Sequence, residues 1–167
     1  MATIHITSEK DALSLAKKIK PTHIISISRP GTDSIFYGGF GAAKILDIKF
    51  FDIESEAAAA NFDPRDVPNS NHVKTICDFG RDFEEDSIVL IHCLLGISRS
   101  PAAAIIALTP NHGAIGAAKM IGKLQVKNAP AYNYYRPNRM LMKEFDNMLE
   151  FEGEFLKIIE TDFFGGV

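Results

Sequence analysis

Short runs of β-branched and other apolar residues recur along the chain and predict strands at 2–7, His23–Ser28, 44–51 and 87–93. The last run is almost entirely apolar, which is typical of a central parallel strand covered on both faces. Between the runs, apolar residues repeat with helical spacing. This alternation predicts an α/β fold, with a central and mostly parallel sheet of about four to five strands flanked by helices.

Capping residues and prolines mark where the helices begin and end. Ser8, followed three residues later by Asp11, resembles the capping box that opens a helix. A second helix is predicted to begin near Ser70. A third begins at Pro101, is apolar all round and therefore buried, and is expected to stop at Pro110. Two further helices are predicted, at 114–124 and at about 138–160.

The length of 167 residues fits one domain spanning 1–167, with its core at about 23–150. Lys and Arg total 18 against 21 Asp and Glu, a net charge of -3, which excludes the basic surface of a nucleic-acid binder. The N-terminus lacks the pattern of a secretory signal, and no apolar run reaches the roughly 20 residues that span a bilayer. We therefore expect a cytoplasmic protein with neither nucleic acid nor membrane as partner, and its oligomeric state stays open.

Two cysteines, Cys77 and Cys93, are too few for a disulfide-rich scaffold or a four-cysteine zinc site. His5, His23 and His112 share no metal-ligand spacing with each other or with the cysteines, so no metal and no cofactor are expected. Cys77 lies on the apolar face of its predicted helix and is expected to be a core thiol. Cys93 stands in a different setting, because it ends a predicted buried strand.

The segment from His92 to Pro101 reads His-Cys-Leu-Leu-Gly-Ile-Ser-Arg-Ser-Pro and joins a strand to a helix. At such a junction, backbone N–H groups and the helix dipole together form a site for a phosphate-sized anion. Gly96 lets the backbone turn tightly beside the ligand, and the planar guanidinium of Arg99 can grip two phosphate oxygens. The predicted phosphate-binding residues are Leu94, Leu95, Gly96, Ile97, Ser98 and Arg99.

The same junction favours a thiolate at Cys93, since helix N-termini stabilise negative charge on sulfur. We therefore predict that Cys93 is a nucleophile, that the Ser100 hydroxyl stabilises its thiolate, and that His92 supports the loop from behind. The competing interpretation treats Cys93 as an inert buried thiol and Arg99 as a surface charge. It is disfavoured because the strand, the glycine, the arginine and the helix start all agree.

The order His-Cys-x-x-Gly-x-x-Arg-Ser at 92–100 resembles the signature of cysteine-dependent protein tyrosine phosphatases. The small size and the absence of tryptophan fit the compact, dual-specificity-like branch of that superfamily. Three further segments are similar to its small bacterial members. They are Phe50-Phe51-Asp52-Ile53, the stretch from Pro68 to His72, and Pro137-Asn138 at a helix start.

The resemblance implies a two-step reaction that needs no metal. The Cys93 thiolate attacks phosphorus and forms a phosphocysteine, while Arg99 and the loop amides hold the phosphoryl oxygens. An aspartic acid protonates the departing oxygen, and it then acts as base when water hydrolyses the intermediate. Asn138 either braces the phosphate loop or caps a helix, and the two interpretations have equal weight.

Three aspartates compete for the role of general acid. Asp52 lies where the third predicted strand ends, at the carboxyl edge where α/β sites gather. Asp63 precedes Cys93 by 30 residues, close to the usual separation in the family, and Asp66 comes just before Val67-Pro68. Asp52 is preferred because a strand end survives loop insertion better than a residue count does. The irregular segment 52–69 is longer than the compact family loop, so the choice stays open.

The expected substrate is a phosphorylated protein or a small phosphomonoester, with phosphotyrosine favoured and phosphoserine or phosphothreonine possible in addition. The variable loop positions carry no lysine or arginine, which disfavours polyanionic inositol lipids and triphosphate RNA ends. Two other classes compete, namely a binding module without turnover and a sulfur-transfer enzyme. Intact Cys93 and Arg99 weigh against the first, while His92 and Ser100-Pro101 weigh against the second.

Overall fold

A computed structural model of the chain describes residues 2–128 and 134–164. Within these residues, four parallel strands form one sheet in the order β1-β4-β2-β3. This architecture confirms the predicted α/β fold with a parallel sheet. The strands are β1 (Thr3–Ser8), β2 (His23–Ser28), β3 (Lys44–Lys49) and β4 (Ile88–Cys93).

Seven helices lie among the described residues and surround the sheet. They are α1 (Glu9–Ile19), α2 (Glu56–Ala59), α3 (Ser70–Gly80), α4 (Arg99–His112), α5 (Ala114–Asn128), α6 (Arg139–Met148) and α7 (Glu154–Phe164). The predicted cap at Ser8 is confirmed, because its side chain accepts a hydrogen bond from the backbone N–H of Asp11. None of these helices is long and apolar enough to cross a bilayer.

Side chains that alternate along the two central strands build a separate core on each face of the sheet. On one face, Ile24 of β2 and Leu90 of β4 pack with Ala12 and Ala16 of α1. On the other, residues such as Ile25 and the alanines of α4 belong to the main core with α3, α5, α6 and α7. Because successive side chains point to opposite faces of the sheet, both faces of β2 and β4 are buried, as is typical of central parallel strands.

Helices α3 and α4 pack so closely that their backbones are in contact at Gly80 and Ala107. A Cβ atom on Gly80 would lie 1.9 Å from the carbonyl oxygen of Ala107, so only glycine allows this approach. The alanines of α4 are fully buried. The small residues therefore let α4 pack closely against α3.

Both ends of α4 differ from the sequence prediction. The helix begins at Arg99 instead of Pro101, which occupies the third position, where the missing N–H has no partner to lose in any case. Pro110 does not stop the helix, which continues to His112 and ends at Gly113 with a φ of 68°. A proline in the last turn removes a single helical hydrogen bond, and the glycine supplies the actual termination.

The predicted C-terminal helix at 138–160 is wrong in one respect, because the structure divides it into α6 and α7. Asp146, which is buried in α6, accepts hydrogen bonds from the backbone N–H groups of Gly153 (2.6 Å) and Phe155 (3.0 Å). These bonds cap the start of α7. Between the helices, Glu150, Glu152 and Gly153 adopt positive φ angles, which interrupt the helical path. The strand predicted at 44–51 likewise ends earlier, at Lys49.

Candidate active site

The predicted phosphate loop lies where the carboxyl ends of the central strands meet the start of α4. Cys93 is the last residue of β4 and is 1% exposed. The loop that follows turns at Gly96, whose φ is 75°. A Cβ atom there would lie 2.6 Å from the carbonyl carbon of Thr7, so both the conformation and the space demand glycine.

The sulfur of Cys93 is contacted by groups that stabilise negative charge. The backbone N–H of Gly96 donates to Sγ at 3.3 Å, and the hydroxyl of Ser100 lies 3.3 Å from the same atom. Ser100 is fully buried in the first turn of α4. No side chain caps this helix N-terminus, which leaves its dipole directed at the loop. The arrangement suits a thiolate nucleophile beside an anion.

Arg99 is held in a fixed orientation by main-chain carbonyls. Arg99 is 2% exposed, and its Nη1 donates to the main-chain oxygens of Phe50 (2.8 Å) and Ser28 (3.4 Å). Its Nε has no hydrogen-bond partner and lies 3.7 Å from Oδ2 of Asp52. A buried donor without a partner is unfavourable unless a ligand completes it. The geometry therefore suits an anion bound against Nε.

Asp52 contacts the phosphate loop directly. Its Oδ1 accepts hydrogen bonds from the hydroxyl of Ser98 (2.6 Å) and from Nδ2 of Asn138 (2.9 Å). Oδ2 is the oxygen that faces Arg99. The structure therefore places Asp52 beside the loop, where its position at the end of a predicted strand led us to expect it.

Asn138 joins three parts of the site. Besides Asp52, its Nδ2 donates to the carbonyl of Ile53 at 3.0 Å, and its backbone N–H donates to Ser98 at 3.1 Å. Its Oδ1 accepts from the N–H of Leu141 and so caps α6. The two interpretations of this residue as brace and as helix cap are thus compatible in one side chain.

The other two candidate aspartates make different contacts. Asp63 is exposed and accepts hydrogen bonds from Nε (3.0 Å) and Nη2 (2.7 Å) of Arg65. These bonds hold the pKa of the Asp63 carboxyl at about 2. Asp66 accepts a hydrogen bond from the N–H of Phe51 through its main-chain carbonyl. Of the three, Asp52 is the one whose side chain contacts the loop.

His92 is buried behind the loop in a chain of hydroxyl groups. Its Nε2 lies 2.9 Å from Oγ of Ser26 on β2, and that oxygen lies 2.8 Å from Oγ of Ser34. Ser34 in turn accepts from the backbone N–H of Phe36. Burial, with a smaller contribution from the charge of Arg99, lowers the pKa of His92 to about 4. The ring is therefore neutral near pH 7 and acts as a fixed support.

Several contacts of the site were not identified from the sequence. The carbonyls of Ser28 and Phe50 carry no signal, because any residue supplies one. Ser26 had a signal, since it is a polar residue within a fully buried strand. Glu54, whose Oε1 lies 3.4 Å from Oγ of Ser98, follows Asp52 by two positions. Leu94 is 47% and Leu95 is 67% exposed, so these two loop side chains face outward.

A cavity of about 640 Å³ lies at the opposite, amino-terminal edge of the sheet, between residues such as Lys20, His23, Lys44 and Asp82. Its lining, as far as the chain is described, contains no cysteine, and the ion pair of Lys44 and Asp82 within it is exposed. Within the described residues, no group of three or more His, Cys, Asp and Glu side chains could hold a metal ion. The phosphate loop therefore remains the candidate active site.

No family model and no curated protein matches the chain. Solved structures do match. The human phosphatase DUSP28 is 17% identical over 89% of this chain and 94% of its own, with a TM-score of 0.60. DUSP15 is 18% identical over 100% and 96%, with a TM-score of 0.58. The Yvh1 phosphatase domain from Chaetomium thermophilum is 20% identical over 91% and 93%, with a TM-score of 0.55.

The chain has the fold of the compact dual-specificity phosphatases. The resemblance drawn from residues 92–100 is therefore confirmed at the level of the fold. At these identities the likeness concerns the fold alone, and the roles of Cys93, Arg99, Asp52 and their neighbours are argued from their own geometry.

Proposed function

We propose that this protein is a cysteine-dependent phosphatase that hydrolyses phosphate monoesters, with phosphotyrosine in proteins as the favoured substrate. The observation that carries the proposal is the buried guanidinium of Arg99. Two carbonyls hold its Nη1, while Nε has no hydrogen-bond partner among the described residues and faces Oδ2 of Asp52 at 3.7 Å beside the loop that follows Cys93. A phosphoryl group is the ligand that a planar donor fork, a helix N-terminus and loop amides bind together.

The first chemical step is an in-line displacement at phosphorus. The Cys93 thiolate forms an S–P bond while the bond from phosphorus to the substrate oxygen breaks. Arg99 and the loop amides hold the three remaining oxygens, on which charge is spread in the transition state. The Ser100 hydroxyl, 3.3 Å from Sγ, stabilises the sulfur when it later leaves as thiolate.

We assign the general acid to Asp52. Ser98 and Asn138 occupy its Oδ1, which leaves Oδ2, the oxygen facing Arg99, to carry the proton to the departing group. In the second step the same carboxylate takes a proton from the water that hydrolyses the phosphocysteine. Asp63 is the weaker candidate, because its carboxylate is held by Arg65, whereas that of Asp52 contacts Ser98 of the loop.

The surroundings of the loop favour a substrate with a single phosphate on an aromatic oxygen. Leu94, Leu95 and Ile97 bring no charge to the mouth, so a polyanionic ligand gains nothing from these positions. A phenol also leaves more readily than an alkoxide, because its pKa is about 10. A catalytic thiolate needs reducing surroundings to remain active, and on that ground we propose the cytoplasm as its location.

The test is turnover of p-nitrophenyl phosphate and of a phosphotyrosine peptide between pH 5 and 7.5, with Cys93→Ser beside the native chain. We expect turnover by the native chain, none by Cys93→Ser, and inhibition by vanadate. Phosphate binding without any turnover would instead identify a binding module. Formation of thiocyanate from thiosulfate and cyanide would identify a sulfur-transfer enzyme.

A further inference from the structure

A second cavity, of about 310 Å³, lies between residues 54–56, α6 and α7. Its floor is apolar, and its walls are tied together by two ion pairs. Glu56 pairs with Lys143 at 2.5 Å, and Arg139 pairs with Glu160 at 3.2 Å. These exposed pairs connect the three elements around the cavity. The apolar floor consists of Met140, Met142, Leu156 and Ile159.

The cavity adjoins the phosphate loop. Glu54 forms part of its lining, and Oε1 of Glu54 lies 3.4 Å from Oγ of Ser98. Two chain segments each carry a site residue and a cavity residue two positions apart, namely Asp52 with Glu54 and Asn138 with Met140. An extended peptide advances about 3.3–3.6 Å per residue. Because Glu54 contacts both the cavity and Ser98 of the loop, a side chain two or three positions from the phosphorylated residue is the one we expect to reach the cavity.

The charges around the cavity favour a cation. Three carboxylates face it against two cations, and each cation belongs to one of the ion pairs. Glu54 is the carboxylate left over, with no cationic partner within the part of the chain that the structure describes. An apolar floor below an unpaired carboxylate suits a long aliphatic side chain with a positive tip.

We propose that this cavity binds a lysine or arginine side chain of the substrate, two or three residues from the phosphorylated residue. The inference rests on the proposed function and adds a substrate class to it. The protein selects phosphoproteins with a basic residue near the phosphate, and an acidic residue at the same position is repelled by Glu54.

The test compares phosphotyrosine peptides that carry lysine, norleucine or glutamate at each position up to three residues from the phosphotyrosine. The value of kcat/KM for each peptide is divided by that for p-nitrophenyl phosphate, which has no flanking residues. At one position we expect lysine to exceed norleucine by about five-fold, the scale of a partly exposed charge pair, and glutamate to rank last. Glu54→Gln should remove the difference, while Glu152→Gln, an exposed glutamate outside the cavity, should preserve it.

The outcomes separate this inference from the proposed function. Turnover of p-nitrophenyl phosphate with equal use of lysine and norleucine peptides overturns the cavity assignment alone, as does a preference that persists in Glu54→Gln. Absence of all turnover refutes the proposed enzyme. In that case the cavity assignment is tested by binding, with the same peptides carrying a fluorescent label and fluorescence anisotropy as the readout. Tighter binding of the lysine peptide supports the assignment, and equal binding of the lysine and norleucine peptides overturns it.

Discussion

The two ends of the parallel sheet each hold a buried histidine, in contrasting surroundings. At the carboxyl end, His92 belongs to a chain of buried hydroxyl groups behind the phosphate loop. At the amino end, Nδ1 of His23 lies 2.9 Å from Oγ1 of Thr22, and its ring packs edge-on against two phenylalanines. The charged groups beside it, such as Lys44 and Asp82, are exposed and pair with each other.

The two ends differ in the burial of their charged groups, and our choice of the candidate active site rests on that difference and not on cavity size. The amino end has a cavity of about 640 Å³, and the ion pair of Lys44 and Asp82 in its lining is exposed to water. Nε2 of His23 is buried there without a hydrogen-bond partner in the described part of the chain, but burial lowers the pKa of this ring, which therefore carries no charge near pH 7. At the carboxyl end, Arg99 is buried, its Nε has no hydrogen-bond partner within residues 2–128 and 134–164, and its one ion-pair contact there, with Asp52, is long at 3.7 Å. Burying a charge without full pairing is strongly unfavourable, and a bound anion relieves that cost.

The largest expected effect comes from changing a cation at each end. Arg99→Lys should lower kcat/KM for p-nitrophenyl phosphate by about 10²–10³-fold, because lysine cannot provide the planar pair of donors to the transition state. Lys44→Ala at the amino end should leave kcat/KM unchanged. Steady-state kinetics of both variants measure this. Equal losses in the two would mean that the ends do not differ as described.

The second prediction concerns the general acid. Asp52→Asn should lower kcat by about 10²-fold for phenyl phosphate, and much less for an activated ester that leaves without a proton. Asp63→Asn is the matched control and should behave as the native chain with both substrates. The dependence of kcat on leaving-group pKa measures the effect. If Asp63→Asn shows the steeper dependence, the assignment of Asp52 is wrong.

The third prediction compares the histidines through the pH dependence of stability. The pKa of His92 is lowered from 6.5 to about 4 in the folded chain. Between pH 4 and 6.5 the unfolded chain binds more protons at this histidine than the folded chain does. The contribution of His92 to the free energy of unfolding is therefore fully present above pH 6.5. It falls by about 3 kcal/mol as the pH drops toward 4.

Urea unfolding at several pH values should therefore show a flatter profile for His92→Gln than for the native chain. Burial also lowers the pKa of His23, so His23→Gln should flatten the profile in the same direction. An unchanged slope in His92→Gln would show that its ring is protonated equally in both states.

The smallest expected effect comes from removing the hydroxyl partner of each histidine. At His92 the loss should reduce both stability and activity, whereas at His23 it should reduce stability alone. Ser26→Ala leaves Nε2 of His92 without its partner and should lower the free energy of unfolding by about 1–3 kcal/mol, together with kcat/KM. Thr22→Ala removes the corresponding partner of His23 and should lower stability but leave kcat/KM intact. Chemical denaturation and p-nitrophenyl phosphate kinetics on both variants check this. A loss of activity in Thr22→Ala would contradict the separation.

The strands and the tight turn between β4 and α4 could be predicted because their signals are local. A buried strand has its own pattern of apolar residues, and the loop has a glycine and an arginine at fixed spacing. The preference for Asp52 also had a local basis, since it rests on where a strand ends. The structure places this side chain against Ser98 and Asn138, while its catalytic role stays a proposal.

The parts that could not be predicted depend on contacts between distant residues. Pro110 is tolerated because α4 has a single turn left to make, and the true end depends on Gly113. The break between α6 and α7 depends on how Asp146 turns back to cap the second helix. The carbonyls that hold Arg99 come from segments 49 and 71 residues away, so no nearby pattern marks them.

The close approach of α3 to α4 has a consequence for how this sequence can change over evolutionary time. Because a methyl group at Gly80 would overlap the main chain at Ala107, no other residue type is compatible with the present spacing. The helix that carries Arg99 is thereby restricted at a point about two turns from the loop. We expect substitutions among homologues to be concentrated at the exposed amino-terminal ends of the strands. Glycine at position 80 should be as invariant among them as arginine at position 99.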